Sequence, residues 1–242
     1  MATKCENCPL RRRKVFAETT AEGLEFMQKF KVGELVVDAG TTILMEGSNS
    51  PQLFTALHGM GLRYKTLDSD ARQVINFVFP GDFLGLQAGV MREMGHSVEA
   101  VTKMTLCVFD RREIWTLFKS YPEMAFDLVW LTSAEERFLG EALATVGQRT
   151  ALESVAWALL KLYQRADALN LAEDDGMPLP IRQQDLADAL GLSLVHTNKT
   201  LAKIRDLQLA SWSDGLLTIA DMEGLAALAG TDLSPVRTRP LI

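Results

Sequence analysis

Three cysteines in 242 residues are too few for a disulfide-stapled scaffold, and they point to a reducing compartment, the cytoplasm. Three histidines leave little for acid–base work. The chain also lacks a Gly-rich phosphate loop, a Ser-His-Asp constellation and a His-x-x-x-His pair, so it does not read as an enzyme. No apolar run approaches the ~18 residues of a membrane span, and no membrane partner is expected. Seventeen glycines and eight prolines fall without a period, which excludes collagen-like and mucin-like chains. The opening MATKCENCPLRRRKVF carries its charges after, not before, any apolar stretch, unlike a secretory signal. Positive charge is in deficit: 25 Lys and Arg face 31 Asp and Glu, for a net charge of −6. A generally basic nucleic-acid coat is thereby ruled out, and any such binding must use a local site. What remains is ordinary globular composition, 48% hydrophobic and 23% charged, at a length suited to two domains.

The texture changes two-thirds of the way along. From Gly33 to Phe109, short β-branched and aromatic runs (Leu35–Val37, Thr42–Leu44, Leu53–Leu57, Val74–Phe79, Leu106–Phe109) are broken by glycines at 33, 40, 47, 59, 61, 81 and 85. That is the pattern of a β-sandwich or barrel, with the glycines at turns or close approaches. From Pro122 the pattern is helical. Ala125, Val129, Thr132, Glu136, Leu139, Leu143 and Val146 recur at alternating spacings of four and three, an a/d stripe suited to a coiled-coil seam. Phe126, Trp130 and Phe138 give other faces that can pack on the helix's own domain, and Gly147 marks a break. In a parallel two-fold seam the stripe residues Val129, Thr132, Glu136, Leu139, Leu143 and Val146 meet their own copies, so the partner is a second copy of this chain.

A second amphipathic helix (Ala151–Arg165), an acidic loop (Glu173–Gly176) and Pro180 follow. Residues 181–205 read as a short helix, a turn at Gly191 with Ser193 as N-cap, and a second helix. Leu209–Trp212 and Leu216–Ile219 flank Asp214-Gly215, strong hairpin chemistry. Helix-turn-helix followed by a hairpin is a winged helix. Its second helix packs through Leu192, Thr197, Leu201 and Ile204, which leaves Leu194, Val195, His196, Asn198 and Lys199 pointing outward. Such a face suits the major groove: Lys199 donates to guanine O6/N7, Asn198 pairs with adenine, and Val195 touches a thymine methyl. Gln183 and Gln184, opening the first helix, suit phosphate contacts. Residues 182–205 carry four basic side chains against two acidic, a modest local footprint. The last ten residues, with Pro235 and Pro240, read as a loose tail.

Phe79-Pro80-Gly81-Asp82-Phe83-Leu84-Gly85, the long helix from Pro122, and the run from Gln183 through Asp185-Leu186-Ala187 to Gly191-Leu192-Ser193 together resemble the Crp/Fnr family of bacterial transcription regulators. The resemblance implies an α+β chain. Its parts are an arm (1–21), a double-stranded β-helix (jelly-roll) sensor of cyclic-nucleotide-binding type (22–120), a dimerisation helix (121–148), a winged helix-turn-helix (149–230) and a tail (231–242). It further implies a homodimer on a palindromic double-stranded DNA operator, with RNA polymerase as a partner. Well-known members carry Glu at the place of Val195 and Arg at that of Lys199, so their DNA consensus does not transfer. A constitutive or otherwise regulated member without cofactor, and a non-DNA-binding adaptor on the same scaffold, are the alternatives.

For a cyclic nucleotide the resemblance requires an acidic residue after Gly85 and an Arg for the phosphate. The chain has Leu86 and then Gln87 at the first place, and Met94 falls at the second, with Arg92 out of register. Cyclic AMP is therefore not expected, since a phosphate beside Leu and Met would lie unpaired. Cys5, Cys8 and Cys107 resemble three of the four ligands of iron–sulfur Fnr regulators, but the third N-terminal cysteine is replaced by Lys14. A [4Fe–4S] centre would need Asp, Glu, His or solvent as its fourth ligand; the alternative is no cofactor, with a vestigial pair and a core strand cysteine. His58 and His96 are isolated and read as structural.

Overall fold

The computed structural model describes residues 2–173 and 176–242; Asp174 and Asp175 of the acidic loop lie outside the described residues. The chain divides into two compact units, one formed by residues 1–70, 75–136 and 238–242, the other by 71–74 and 137–237.

The first unit is the β-roll. After two short 3-10 turns (Cys5–Asn7, Pro9–Arg12) comes α1 (Ala21–Phe30), whose N-terminus is capped by the Thr20 hydroxyl accepting from Gly23 N. The strands are β1 (Lys31–Val37), β2 (Thr42–Leu44), β3 (Gln52–His58), β4 (Gly61–Thr66), β5 (Arg72–Val78), β6 (Phe83–Leu84), β7 (Ser97–Ala100) and β8 (Met104–Asp110). They form two four-stranded sheets, β1-β8-β3-β6 and β2-β7-β4-β5. Helix α2 (Leu86–Met91) lies between β6 and β7; α3 (Ile114–Ser120) and α4 (Pro122–Gln148) follow β8. Alternation along β8 divides the interior. Met104, Leu106 and Val108 join Phe54, Val78, Leu84 and Val98 in one core, whereas Cys107 and Phe109 turn to a second core with Phe26, Phe30, Leu53, Ile114 and Leu128. Of the glycines expected at turns, Gly81 has φ +91°, and a Cβ there would run into the Phe16 ring.

The second unit holds α5 (Ala151–Ala168), β9 (Met177–Pro178), α6 (Gln183–Leu190), α7 (Leu194–Asp206), β10 (Ala210–Ser213), β11 (Leu216–Ile219) and α8 (Met222–Ala229). Helix α4 ends at Gln148, one residue past Gly147. The new start is set by Thr150 and Glu153, which form a reciprocal capping box for α5. Asp214 (φ 51°) and Gly215 (φ 76°) make the tight turn of the β10–β11 hairpin, as their sequence requires. Strand β9 adds a third strand to that hairpin.

The tail is not loose throughout. Arg239 exchanges backbone hydrogen bonds with the arm, its N–H to Val15 O (2.8 Å) and its carbonyl accepting from Ala17 N (2.8 Å). Its guanidinium pairs with buried Asp82 at 2.9 Å, and Leu241 and Ile242 are buried in the first unit. Burial of two aliphatic side chains, each worth roughly 1.5–3 kcal/mol, outweighs the freedom expected of a proline-containing terminus. Among the described residues, no helix is long and apolar enough to cross a membrane.

Candidate nucleic-acid interface

Helix α6 ends where Gly191 takes the left-handed conformation (φ 65°), and α7 starts at once with the Ser193 hydroxyl accepting from His196 N at 3.2 Å. Thr197, Thr200, Leu201 and Ile204 form the buried face of α7, with Leu192 half-buried before it. Ser193, Leu194, Val195, His196, Asn198 and Lys199 are all exposed; Val195 is 65% accessible. Leu194 and Val195 thus face solvent as apolar side chains beside His196, Asn198 and Lys199. At the start of α6, Gln183 is half-buried and Gln184 exposed, its amide donating to Asp188 at 2.5 Å.

A buried charge anchors this helix pair. Asp185, 1% exposed, accepts from the Arg182 backbone N–H (2.9 Å) and from two nitrogens of its guanidinium (2.7 and 3.1 Å). Arg72, from the short 71–74 segment of the same unit, also pairs with Asp185, and with Asp188 at 3.2 Å. Burial alone would raise the Asp185 carboxyl, but the hydrogen bonds and charge of Arg182 and the charge of Arg72 outweigh it and hold the group below the usual carboxylate range.

On α4, Val129, Thr132, Glu136, Leu139, Leu143 and Val146 are each exposed, Leu143 at 75%. The opposite side carries the packing: Met124 and Leu128 are buried in the roll, and Phe138 stacks on Trp157 of α5 at 5.9 Å.

Within the roll unit, Glu135 of α4 meets Arg63 Nη1 of β4 at 3.1 Å and accepts from Asn76 Nδ2 at 3.0 and 3.2 Å. The same Arg63 donates to the Phe83 carbonyl at 3.3 Å. His96 adjoins this group; burial and the Arg63 charge lower its imidazole to about 4, so it is neutral at physiological pH. Met94, expected at the phosphate position, is instead a core residue at 1% exposure, and Leu86 is half-buried.

Cys5, Cys8 and Cys107 line one small cavity of about 30 Å³, together with Lys31, Arg11 and Ile242. Lys31 is the buried cation at its centre. Its ammonium, with a side chain 4% exposed, donates to Glu34 (2.7 Å) and to the Thr3 carbonyl (2.6 Å). Burial lifts Cys107 to about 11 despite the opposing Lys31 charge, and burial likewise raises Cys5. The arm thus brings Cys5 and Cys8 to the cavity that Cys107 and Lys31 also line.

Two family models match in chain order. A cyclic nucleotide-binding domain matches residues 34–121, and a Crp-like helix-turn-helix domain matches residues 153–228. The transcriptional activator protein FnrL of Cereibacter sphaeroides is 26% identical over 233 residues, covering 95% of this chain and 93% of that protein. The nitrogen fixation regulation protein FixK of Bradyrhizobium diazoefficiens is 28% identical over 93% of both chains. The structure of FixK2 from Bradyrhizobium japonicum superposes with a TM-score of 0.74 at 23% identity, over 83% of this chain and 98% of that one. The chain belongs to the Crp/Fnr family of transcription regulators.

This Crp/Fnr regulator is a DNA-binding protein and not an enzyme. The exposed face of α7 and the exposed stripe of α4 are the surfaces that the sequence pattern picks out. Sequence reasoning missed Lys31, Arg63, Asn76, Glu135 and Arg239, each of which has a partner at least 28 residues away. The one available signal was the apolar pair Leu241–Ile242 closing a polar stretch.

The cysteine site does not fit a [4Fe–4S] centre. The cation Lys31 lines the same small cavity as the three thiols, and Lys14 stands where the resemblance puts the third arm ligand. Among the described residues, no group of three or more His, Cys, Asp or Glu side chains could hold a metal ion. Nor do the roll residues fit a cyclic nucleotide, because Arg63, the cation facing α4, is already neutralised by Glu135.

Proposed function

We propose that the protein is a cytoplasmic homodimeric regulator that reads a two-fold symmetric operator. Asn198 and Lys199 face base edges, Val195 a thymine methyl, and Ser193, Leu194 and His196 the groove walls, while Gln183 and Gln184 approach phosphates. The observation that carries this reading is the exposed set Ser193, Leu194, Val195, His196, Asn198 and Lys199 at the start of a helix whose other side, Thr197 included, is buried. The exposed apolar stripe from Val129 to Val146 on α4 supports dimerisation through that helix, because water-facing Leu and Val at heptad spacing gain from meeting their copies. RNA polymerase is the further partner that activation implies.

Its signal is read without an iron–sulfur centre and without a cyclic nucleotide. The misfit of the cysteine cavity and the Glu135–Arg63 pairing support this. Two experiments test the reading. Selection of bound DNA from a random pool is expected to return an inverted repeat with half-sites one helical turn apart; an asymmetric or featureless pool would refute it. Protein purified without oxygen is expected to be colourless and to lack stoichiometric iron and sulfide, and a broad visible band lost on Cys107→Ser would overturn the cofactor-free account.

A further inference from the structure

The roll interior and the cysteine cavity are both occupied by the chain's own groups, but a wider concavity of about 390 Å³ opens beside the second core. It lies where α2 ends and α3 begins. Asn49, Arg92, Arg111, Arg112 and Trp115 line it over a floor of Ala88 and Gly89, and no carboxylate is among its lining residues, in a chain of net charge −6.

The three guanidiniums are held differently. Arg111 is fixed: its Nη1 donates to the Asn49 side chain and to the Ala88 carbonyl (3.3 Å), and its backbone N–H to Pro51 O (3.0 Å). Arg112 is braced from behind, its Nε and Nη2 on the Asp110 carboxylate at 3.1 and 2.6 Å. Arg92 follows α2 in the left-handed conformation (φ 68°), and its side chain has no ion pair among the described residues. Beside them, the Trp115 indole is 69% exposed and tilted against Phe118 at 5.9 Å, which leaves much of its surface open.

We propose that this concavity is an effector site for a small organic phosphate bearing a planar group. Guanidiniums present paired N–H donors that match phosphate oxygens, and two of these three are already oriented, so little side-chain freedom is lost on binding. An exposed indole offers a stacking face for a planar ring. The volume falls in the ~300–1,000 Å³ range of small-molecule sites. Arg111 and Arg112 form the turn into α3, and α3 leads through Tyr121 into α4, so a ligand here touches the element that joins the roll to the exposed stripe. The inference goes beyond the DNA-binding reading and does not depend on it.

Calorimetric titration of the full chain with ADP and, separately, with inorganic pyrophosphate tests it. ADP is expected to bind saturably, one per chain, at least about tenfold more tightly than pyrophosphate, because only ADP reaches the indole. The double variant Arg92→Gln/Arg112→Gln is expected to weaken both probes by about tenfold or more, since each loses charged donors. Trp115→Ala is expected to remove only the advantage of ADP, and Lys199→Ala, on the DNA-facing helix, to change neither. The substituted side chains are solvent-exposed, so folding is expected to persist, as thermal melts would check. No saturable ADP binding at millimolar concentration, equal affinity for the two probes, or affinity unchanged in the double Arg variant would each overturn the proposal. So would loss of binding in Lys199→Ala, which would place the anion on the DNA face.

Discussion

Asp185 shows how one residue can hold a functional surface it does not itself present. Its carboxylate is buried but surrounded by Arg182 and Arg72, so Asp185→Ala strands the two arginines and is expected to cost about 3 kcal/mol, read as a lower denaturation midpoint of the helix-turn-helix unit. Because its folded pKa is depressed, the contribution of Asp185 is full above the unfolded value of roughly 3.9 and is lost as pH falls through the lower folded value. Acid unfolding of wild type is therefore expected to steepen below about pH 4, and Asp185→Asn to flatten that limb. On the exposed face, Lys199→Ala is expected to cost about 1–3 kcal/mol on the best operator and to relax preference at one base pair. Equal losses on every operator variant, measured by competition, would reassign it to phosphate. The cysteines are expected to be sluggish: with Cys107 near 11, only about one thiol in a thousand is ionised at pH 8. Iodoacetamide labelling of Cys107 is expected to accelerate in Lys31→Met, which removes the ammonium bound to the Thr3 carbonyl of the arm; unchanged labelling would show the arm held by other contacts.

At the scale of elements, α4 makes the clearest wager. Leu139→Asp would set two carboxylates against each other at the seam proposed for the dimer, where desolvation magnifies repulsion. Sedimentation is expected to give monomers and gel shifts to lose the operator complex; an intact dimer would move the interface elsewhere. The elements legible in the sequence are those whose pattern repeats locally. The spacing of Leu139, Leu143 and Val146 needs only helical periodicity, and the hairpin needs only Asp214-Gly215 between two apolar runs. Elements defined by their partners were not legible. Strand β9 is two residues long and exists through pairing with Leu216 and Leu217, and α8 (Met222–Ala229) is a short apolar run whose pattern alone does not declare its helix. The break expected at Gly147 falls one residue later, where α4 ends at Gln148 and the Thr150–Glu153 box starts α5.

For the molecule as a whole, the site residues divide along the same line. The exposed run on α7 could be picked out from residue types on one helix, whereas the arm carbonyl on Lys31 and the carboxylate on Arg63 follow from long-range placement that no local pattern encodes. The docked tail is the extreme case: Arg239 answers to Asp82 and Val15, and Ile242 packs beside Cys5. Removing residues 239–242 is expected to lower the melting temperature of the roll unit and to speed tryptic cleavage at Arg11–Arg13, with α7 unaffected; an unchanged digestion pattern would show that the arm stands alone. This arrangement also carries an order in time. Residues 137–237 lie, in sequence, between the segments 1–70 and 75–136 that begin the first unit and residues 238–242 that complete it. On a chain made N-terminus first, at about 5–20 residues per second, the roll waits with the space for Leu241 and Ile242 open until the whole second unit has been synthesised. A newly made chain therefore passes through a stage in which its cysteines are uncovered, and a ribosome stalled before Arg239 would hold it there.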